Sequence, residues 1–277
     1  MPVRPLSVAV VLALAACTSV PQTTQTGPGP GHVPEIKPGV PAGYLGRGLP
    51  NSLALVPPPP AAGTPAFAND EAIHQAAQAL RRTPREAVAS GDADLAFPHV
   101  AGTFRCALGV SISQASTPRL YLLLQRTMVD AGLATYTAKD HYHRTRPFVQ
   151  HGEDTCFQRD EASLRNDGSY PSGHTSIGWA WALVLTEVAP DRADALLERG
   201  RAFGESRLVC NAHWQSDVLA GRTVGAAAVA MLHANADFRA DVVAAREEIA
   251  DARARGDVPT DCATEADALR LRITGAL

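Results

Sequence analysis

Apolar residues recur at three- and four-residue spacing along most of this chain, which is the period of an α-helix with a buried face. Strand-like alternation of apolar and polar residues is nearly absent. The pattern predicts long helices over residues 120–133, 175–188, 192–209, 216–233 and 236–253. The predicted fold class is therefore all-α, a compact helical bundle.

Two further signals predict helix starts nearer the N-terminus. Asn69 is predicted to cap a helix that carries Ile73. Thr83 is followed by Pro84 and then by Glu86, which is the pattern of a capping box with proline at the first helical position. We therefore expect two more helices before residue 100.

Two of the predicted helices are apolar around most of their surface, over residues 177–188 and 224–232, which favours central positions in the core. Neither run reaches the roughly 18 uninterrupted apolar residues of a transmembrane span. We therefore expect both to be core helices.

The N-terminus has the pattern of an export signal. Arg4 supplies its positive region, and residues 6–16 form an apolar run too short to span a membrane. The run closes as Leu14-Ala15-Ala16-Cys17, which resembles a bacterial lipoprotein cleavage box. This predicts a signal peptide over residues 1–16, a lipid anchor on Cys17 as the only membrane attachment, and a periplasmic location at the outer membrane. Ordinary cleavage at this alanine-rich site is the alternative.

Composition changes after Cys17. Residues 18–50 hold seven prolines and little apolar periodicity, so residues 17–50 are predicted to form an extended tether. The helical domain is predicted to cover residues 51–277, including the C-terminal tail. Four consecutive prolines at positions 57–60 form a stiff segment that either packs on the domain or continues the linker.

Charge and cysteine content narrow the possible partners. The 277 residues carry a formal net charge of -3, which gives no basic field for a nucleic acid. Beyond Cys17, the chain has four cysteines, Cys106, Cys156, Cys210 and Cys262. They lie far apart and include no C-x-x-C pair, which disfavours a zinc site. In an exported chain they indicate two disulfides, and the sequence alone leaves all three pairings open.

Three short segments combine basic residues, small residues and histidines. In chain order they contain Lys139, Arg146 and Pro147, then Pro171, Ser172, Gly173 and His174, then Ser206, Arg207, His213 and Asp217. The three cations can donate to the oxygens of a phosphoryl group in transfer. Small residues before an apolar run provide free backbone N–H groups at a helix N-terminus, where an anion is favoured.

His213 and Asp217 are four residues apart. On a helix they would share a face, so the carboxylate could fix the tautomer of the imidazole. The chemistry needs two histidines with different tasks, one that attacks phosphorus and one that protonates the departing oxygen. The residues alone do not say which histidine has which task.

In order and spacing, the eleven residues of these segments resemble the three-part signature of the type 2 phosphatidic acid phosphatase superfamily, which includes the vanadium haloperoxidases. The flanking residues 138–142, 166–179 and 213–217 are similar to those of the class A bacterial non-specific acid phosphatases. The similarity covers roughly residues 52–250. It implies a helical bundle of the acid phosphatase/vanadium haloperoxidase type and hydrolysis of small phosphate monoesters through a phosphohistidine.

The resemblance also implies roles for individual residues. His213 is the expected nucleophile, with Asp217 as its catalytic partner, and His174 is the expected acid-base residue. The residues expected to hold phosphate are Lys139, Arg146, Ser172, Gly173 and Arg207. Related enzymes need no metal, so no cofactor is expected, and they often self-associate. The extent of the family-like sequence favours pairing Cys156 with Cys210 and Cys106 with Cys262.

Two alternatives remain open at this point. A vanadate-dependent haloperoxidase could use the same cationic residues, since vanadate mimics phosphate. A surface lipoprotein could bind phosphate without turning it over. His141 and His143 form a His-x-His pair, but no third metal ligand follows at a recognisable spacing.

Overall fold

The computed structural model describes Met1 and residues 33–276. The rest of the predicted signal peptide, Cys17 and the first part of the predicted tether lie outside the described residues. Val33–Leu277 form one unit. No helix among the described residues is both long enough and apolar enough to cross a bilayer.

The described residues are mostly helical, as the apolar period predicts. Two short antiparallel strands, β1 (Glu35–Lys37) and β2 (Val40–Pro41), precede the helices. The helices are α1 (Ser52–Leu55), α2 (Pro65–Gln78), α3 (Pro84–Ala93), α4 (Arg105–Leu108), α5 (Pro118–Leu133), α6 (Tyr136–Tyr142), α7 (Pro147–His151), α8 (Glu161–Leu164), α9 (Gly173–Val188), α10 (Ala193–Val209), α11 (Gln215–Leu232), α12 (Ala236–Ala254) and α13 (Cys262–Leu269). Short 3-10 segments cover His99–Phe104, Gln158–Asp160 and Pro190–Arg192. The prediction of an all-α fold is confirmed.

Helix α9 lies at the centre of the bundle and packs against α5, α10, α11 and α12. This position explains why its sequence is apolar on nearly every side. Trp181 is fully buried on α9, where its ring contacts Phe104 and Phe203 and its Nε1 donates to the carbonyl of Leu124 at 2.9 Å. The core thus fixes α9, and with it the segment at its N-terminus.

The N-terminal end of α9 approaches α11 closely. A Cβ placed on Gly221 would lie 2.6 Å from the carbonyl oxygen of Ser172 and 3.0 Å from Cβ of Thr175. Only glycine permits this approach without moving backbone. The backbone N–H of Ser172 also donates to the carbonyl of Asp217 at 3.0 Å, so the two segments are held in register.

The predicted long helices agree with the structure to within two residues at each end. The predicted cap at Asn69 is wrong, because α2 begins at Pro65 and Oγ1 of Thr64 accepts the N–H of Phe67 at 3.2 Å. Threonine at the cap and proline at the first helical position supply a stronger start signal than Asn69, which lies inside the helix.

The predicted start of α3 is confirmed, with a changed capping pattern. Oγ1 of Thr83 accepts the N–H of Arg85 at 3.2 Å, and Oε2 of Glu86 accepts the N–H of Arg82 rather than that of the cap residue. Both side chains therefore still satisfy backbone donors at this helix start.

Both disulfides have the pairing that the resemblance favours. Cys106 bonds Cys262 with a Cα separation of 5.5 Å, and Cys156 bonds Cys210 with a separation of 4.6 Å. The first joins α4 to the beginning of α13. The second ties the segment after α7 to the end of α10.

Segments before α2 also contact the helical body. Tyr44 lies in the stretch that the sequence assigns to the tether, yet it is buried, and its N–H donates to Asp130 of α5 at 2.7 Å. In the proline run, the carbonyl of Pro57 accepts the hydroxyl of Tyr170 at 2.7 Å. Contacts with the helices thus begin before residue 51.

Candidate active site

The three signature segments meet at one place in the described structure. Lys139 lies in α6, Arg146 directly precedes α7, and Arg207 lies in the last turn of α10. The guanidinium of Arg146 reaches the ring of His213, with 3.0 Å between Nη1 and Nε2. A Cβ on Gly173 would lie 4.0 Å from Cε of Lys139. Segments up to 74 positions apart in sequence therefore contribute side chains to one cluster.

The loop between α10 and α11 sets the position of His213. Asn211 adopts a left-handed conformation with φ 61°, which asparagine tolerates better than most residues. The carbonyl of Arg207 then accepts the backbone N–H groups of Ala212 at 3.0 Å and of His213 at 3.3 Å. The end of α10 therefore holds the histidine backbone.

The ring of His213 has a defined tautomer. Arginine only donates, so Nε2 of His213 accepts from Arg146. Nδ1 therefore carries the hydrogen and donates to Oδ2 of Asp217 at 3.3 Å. The unshared electron pair of Nε2 points toward the cations, which is the arrangement a nucleophile for a phosphoryl group requires.

His213 and Asp217 do not share a helix face, so that part of the sequence argument is wrong. Helix α11 begins at Gln215, and His213 lies before its cap residue Trp214. Oδ2 of Asp217 accepts the N–H of Trp214 at 2.8 Å, and the same oxygen meets Nδ1 of His213. The contact therefore arises from a carboxylate that folds back over the helix start.

A second arginine, which the sequence analysis missed, holds the other oxygen of Asp217. Nη1 of Arg144 donates to Oδ1 of Asp217 at 2.6 Å, and its Nη2 donates to Oδ2 of Asp70 at 2.7 Å. Asp70 in turn accepts the N–H and the hydroxyl of Ser216 at 2.8 and 2.6 Å. Burial alone would lower the pKa of Arg144, but Asp217 and Asp70 raise it above its ordinary value. This cation neutralises two buried carboxylates beside the histidine.

Arg146 and Lys139 share one acidic partner. Oδ2 of Asp167 accepts from Nη2 of Arg146 at 3.0 Å and from Nζ of Lys139 at 3.3 Å. The carbonyl of Gly168 also accepts from both cations. A Cβ on Gly168 would lie 2.9 Å from the carbonyl oxygen of Lys139, so glycine allows this loop to approach α6.

Arg207 differs from Arg146 because part of its fork has no protein partner. Its side chain is buried, yet Nε and Nη1 make no hydrogen bond with any described residue. Burial, together with the charge of Arg146, lowers the pKa of Arg207 to about 9. Buried donors without acceptors, beside other cations, fit an oxyanion ligand.

Lys139 is also a buried cation. Burial and then Arg146 lower its pKa to about 8. The ammonium and the guanidinium groups of Arg146 and Arg207 thus form a cluster of like charges that an oxyanion would stabilise.

Ser172 is the cap residue of α9. Its Oγ accepts the N–H of Thr175 at 3.3 Å and the hydroxyl of Thr175 at 2.9 Å. Both bonds use Oγ as the acceptor, so its own hydroxyl hydrogen can serve another acceptor. Gly173 and His174 are the first residues of the helix, where backbone N–H groups are directed outward.

His174 also has a defined tautomer. Its Nε2 lies 3.0 Å from the carbonyl of Ala93 at the end of α3. A carbonyl only accepts, so Nε2 carries the hydrogen, and Nδ1 is the nitrogen that can exchange a proton. Burial and then the charge of Arg207 hold the pKa of His174 well below its usual range, although the bond to Ala93 acts in the opposite direction.

Burial also holds the pKa of His213 well below its usual range, and Arg146 and Lys139 lower it further. Both imidazoles therefore favour the neutral form near pH 6.5 when no anion offsets the cations. A bound phosphate would raise both pKa values by adding negative charge.

Residues 120–240 match the PAP2 superfamily, the family of type 2 phosphatidic acid phosphatases. A non-specific acid phosphatase of Providencia stuartii is 47% identical over 201 residues, which cover 72% of this chain and 81% of that protein. The chain belongs to the PAP2 superfamily. An acid phosphatase of Zymomonas mobilis is 41% identical over 209 residues, covering 76% of this chain and 79% of that protein. A non-specific acid phosphatase of Salmonella typhi is 43% identical over 202 residues, covering 73% and 81% respectively.

In this PAP2 chain, α3 supports the site through residues that sequence reasoning missed. Asp92 accepts two bonds from Arg199, at 2.5 and 3.1 Å, and one from the hydroxyl of Ser206 at 2.6 Å. Arg85 donates to the same hydroxyl at 2.9 Å. These buried bonds fix the end of α3, which carries the Ala93 carbonyl, against the turn of α10 that carries Arg207.

Among residues 33–276 of this PAP2 chain, no group of three or more His, Cys, Asp or Glu side chains could hold a metal ion. His141 lies exposed in the last turn of α6, and His143 follows that helix in a left-handed conformation.

Proposed function

We propose that this protein is a non-specific acid phosphatase that hydrolyses small phosphate monoesters through a phosphohistidine on His213. One observation carries the proposal: His213 lies between the carboxylate of Asp217 at Nδ1 and the cation of Arg146 at Nε2. A histidine held this way has one nitrogen available for attack and a carboxylate that stabilises the positive ring formed afterwards. The names of its PAP2 relatives support the same activity.

In the first step, Nε2 of His213 attacks phosphorus, and the bond from phosphorus to the ester oxygen breaks. Arg146 exchanges its bond with Nε2 for one to a phosphate oxygen. Arg207, Lys139 and the N-terminus of α9 supply the other donors to the equatorial oxygens. The departing oxygen takes a proton from Nδ1 of His174, whose Nε2–H remains bonded to a carbonyl.

In the second step, His174 acts as a base. Its Nδ1 takes a proton from water while the water oxygen attacks phosphorus, and the bond between phosphorus and Nε2 of His213 breaks. Orthophosphate leaves, and His213 returns to its neutral form. No redox partner or other co-reactant is needed.

The site electrostatics support activity in acid. The nucleophile must be neutral, and the lowered pKa of His213 in the free enzyme keeps its ring neutral as the pH falls. The acid must be protonated on Nδ1, and phosphate bound near Arg207 raises the pKa of His174 toward that state. Acid conditions favour the protonated form of His174 in the complex.

The proposal is tested by turnover of p-nitrophenyl phosphate. His213→Ala is expected to lower kcat by at least about 1,000-fold while the far-ultraviolet circular dichroism is unchanged. His233→Ala is the matched control, because His233 is exposed and pairs with Glu187 on the surface. Turnover by His213→Ala equal to that of the control would refute the assignment.

The same assay separates the alternatives. A haloperoxidase would oxidise halide with peroxide once vanadate is added and would not hydrolyse the ester without it. A protein that only binds phosphate would hydrolyse nothing. Ester hydrolysis without vanadate supports the phosphatase and excludes both.

We further propose that the protein is exported, lipidated on Cys17 and held at the outer membrane on the periplasmic side, with no other membrane attachment. The lipoprotein-like box at residues 14–17 supports this location. Labelled palmitate should be incorporated into the wild type and not into Cys17→Ser. Labelling of both, or of neither, would contradict the proposal.

Self-association is also proposed, by analogy with related enzymes, and sedimentation at several protein concentrations tests it.

A further inference from the structure

Asp167 is an acidic residue in contact with two of the cations proposed to bind phosphate. Its Oδ2 lies 3.0 Å from Nη2 of Arg146 and 3.3 Å from Nζ of Lys139. Its side chain is 33% exposed, so the carboxylate lies at the border between the cluster and solvent. A single oxygen that bridges two cations makes the contacts that a phosphate oxygen would make.

The donors of Arg146 are already engaged. Nε donates to the backbone carbonyls of Leu164 and Asp167, both at 3.0 Å. Nη1 donates to the carbonyl of Ala212 and to Nε2 of His213, both at 3.0 Å. Nη2 donates to Oδ2 of Asp167 and to the carbonyl of Gly168. All five N–H groups therefore have acceptors.

Only two of these acceptors are side chains that can be exchanged. The carbonyls belong to backbone that the loops hold in place, whereas the bonds from Arg146 to the side chains of His213 and Asp167 can be exchanged for bonds to phosphate. Nε2 of His213 must be released for attack on phosphorus. Asp167 is then the remaining acceptor that a second phosphate oxygen would have to replace.

Arg207, unlike Arg146, has hydrogen-bond donors that are not engaged by described residues. Its buried Nε and Nη1 have no acceptor among the described residues, so a phosphate can bind there without breaking a bond. The cluster therefore has one cation with donors available and two whose donors are shared with a carboxylate.

We propose that Asp167 is an internal competitor of phosphate, which occupies the donors of Lys139 and Arg146 and is displaced when a phosphoryl group binds. The proposal rests on the phosphate-binding role given above to these two cations. The competition lowers affinity for every phosphate species, including the orthophosphate product, and so favours product release. Asp167 is thus a residue that sets affinity for phosphate and takes no part in bond making.

The test compares Asp167→Asn with wild type by the inhibition constant of orthophosphate against p-nitrophenyl phosphate. Asparagine has nearly the same shape but lacks the charge that competes. Asp140→Asn is the matched control, because Asp140 is exposed beside Lys139 and makes no hydrogen bond to either cation. It removes one negative charge at the next position along α6 and leaves the contact between Asp167 and the cations intact.

We expect Asp167→Asn to lower the inhibition constant roughly tenfold, which corresponds to about 1.4 kcal/mol, and Asp140→Asn to lower it by less than about twofold. An unchanged or raised constant in Asp167→Asn would overturn the proposal, because a residue that only aligns the cations would weaken binding when removed. An equal effect in both variants would also overturn it, since general charge would then be the cause.

The variant Asp167→Ala repeats the test without any acceptor at this position, and thermal unfolding of each variant reports whether it is folded. Failure of the proposed function would be visible separately, as wild-type protein that orthophosphate does not inhibit, or as an Arg207→Met variant that binds orthophosphate normally. Failure of the competitor role alone would leave wild-type inhibition intact and dependent on Arg207.

Discussion

Nη1 of Arg146 lies 3.0 Å from Nε2 of His213, so a permanent donor faces the nitrogen that attacks phosphorus in the proposed reaction. This contact assigns the tautomer of the ring, because the proton must then lie on Nδ1, next to Asp217. It also contributes to the lowered pKa of His213. The guanidinium of Arg146 therefore orients the nucleophile and adds to the effect of burial, which is the main cause of the lowered pKa.

Replacing Arg144 tests whether its charge neutralises the Asp217 carboxylate and so affects the pKa of His213. In Arg144→Met, Asp217 and Asp70 lose the cation between them, and an unpaired buried charge costs about 3–5 kcal/mol of stability. The unshielded carboxylate also raises the pKa of His213. Because the nucleophile must be neutral, the low-pH limb of kcat/KM should move to higher pH. A pH profile of kcat/KM for p-nitrophenyl phosphate measures this shift.

Asp70→Asn is the control for that experiment. It keeps the bond from Arg144 to Asp217, and its amide oxygen can still accept the N–H of Ser216, so the limb should stay at the wild-type pH. Arg144→Lys keeps the positive charge, so its low-pH limb of kcat/KM should lie between those of Arg144→Met and the wild type. A uniform fall in kcat/KM in Arg144→Met, with no movement of the limb, would indicate a purely structural role.

Phosphate affinity should depend on pH through Lys139. Its pKa is about 8, and only the ammonium form attracts an anion, so affinity is complete below pH 8 and falls as the pH rises above it. Arg207, with a pKa of about 9, should produce a second loss one unit higher. The measurement is the inhibition constant of orthophosphate between pH 7.5 and 9.5. Above each pKa, binding should weaken by at most roughly tenfold per pH unit.

Lys139→Arg separates the two losses. The intrinsic pKa of arginine is about 2 to 3 units above that of lysine, so the first loss should move upward from pH 8 while the second remains. If the first loss persists unchanged in Lys139→Arg, another group is responsible for it.

The two disulfides should differ in their effect on activity. Removing either is expected to cost about 2–5 kcal/mol of stability. Cys156–Cys210 holds the end of α10 three residues before His213, so Cys156→Ser/Cys210→Ser should also lower kcat. Cys106–Cys262 attaches α13, so Cys106→Ser/Cys262→Ser should lower the melting temperature. Its kcat, measured well below that temperature, should be unchanged. Equal losses of kcat in both pairs would contradict this distinction.

The sequence predicts the helices well because each long helix buries a face, and burial imposes a period on the residues. It also groups the signature residues, since they lie in short segments with fixed spacing. The geometry of His213 and Asp217 was inferred for the wrong reason: spacing of four suggests one helix face, but the helix begins between them at Gln215. The contact forms nevertheless, because Oδ2 of Asp217 accepts the N–H of Trp214 at the helix start and also contacts Nδ1 of His213.

The supporting residues could not be predicted in the same way. Asp70 lies 147 positions before Asp217, and nothing in their spacing indicates that Arg144 joins them. Asp92 reaches Ser206 across 114 positions. Arg144 alone carried a usable signal, because it lies two residues before Arg146 in a segment already singled out. Contacts between such distant residues depend on how α2, α3, α10 and α11 pack.

The central claim is that phosphorus becomes bonded to His213 during turnover. Wild-type protein is mixed with a phosphate monoester for milliseconds, quenched in alkaline denaturant, which preserves the nitrogen–phosphorus bond, and digested for mass spectrometry. We expect a phosphorylated peptide with the phosphate on His213 and none in His213→Ala. With p-nitrophenyl phosphate, whose leaving group needs little help from an acid, we expect more of the peptide in His174→Ala, because the base that hydrolyses the intermediate is missing. Phosphate on His174 or another residue, or turnover at the wild-type rate in His213→Ala, would contradict it.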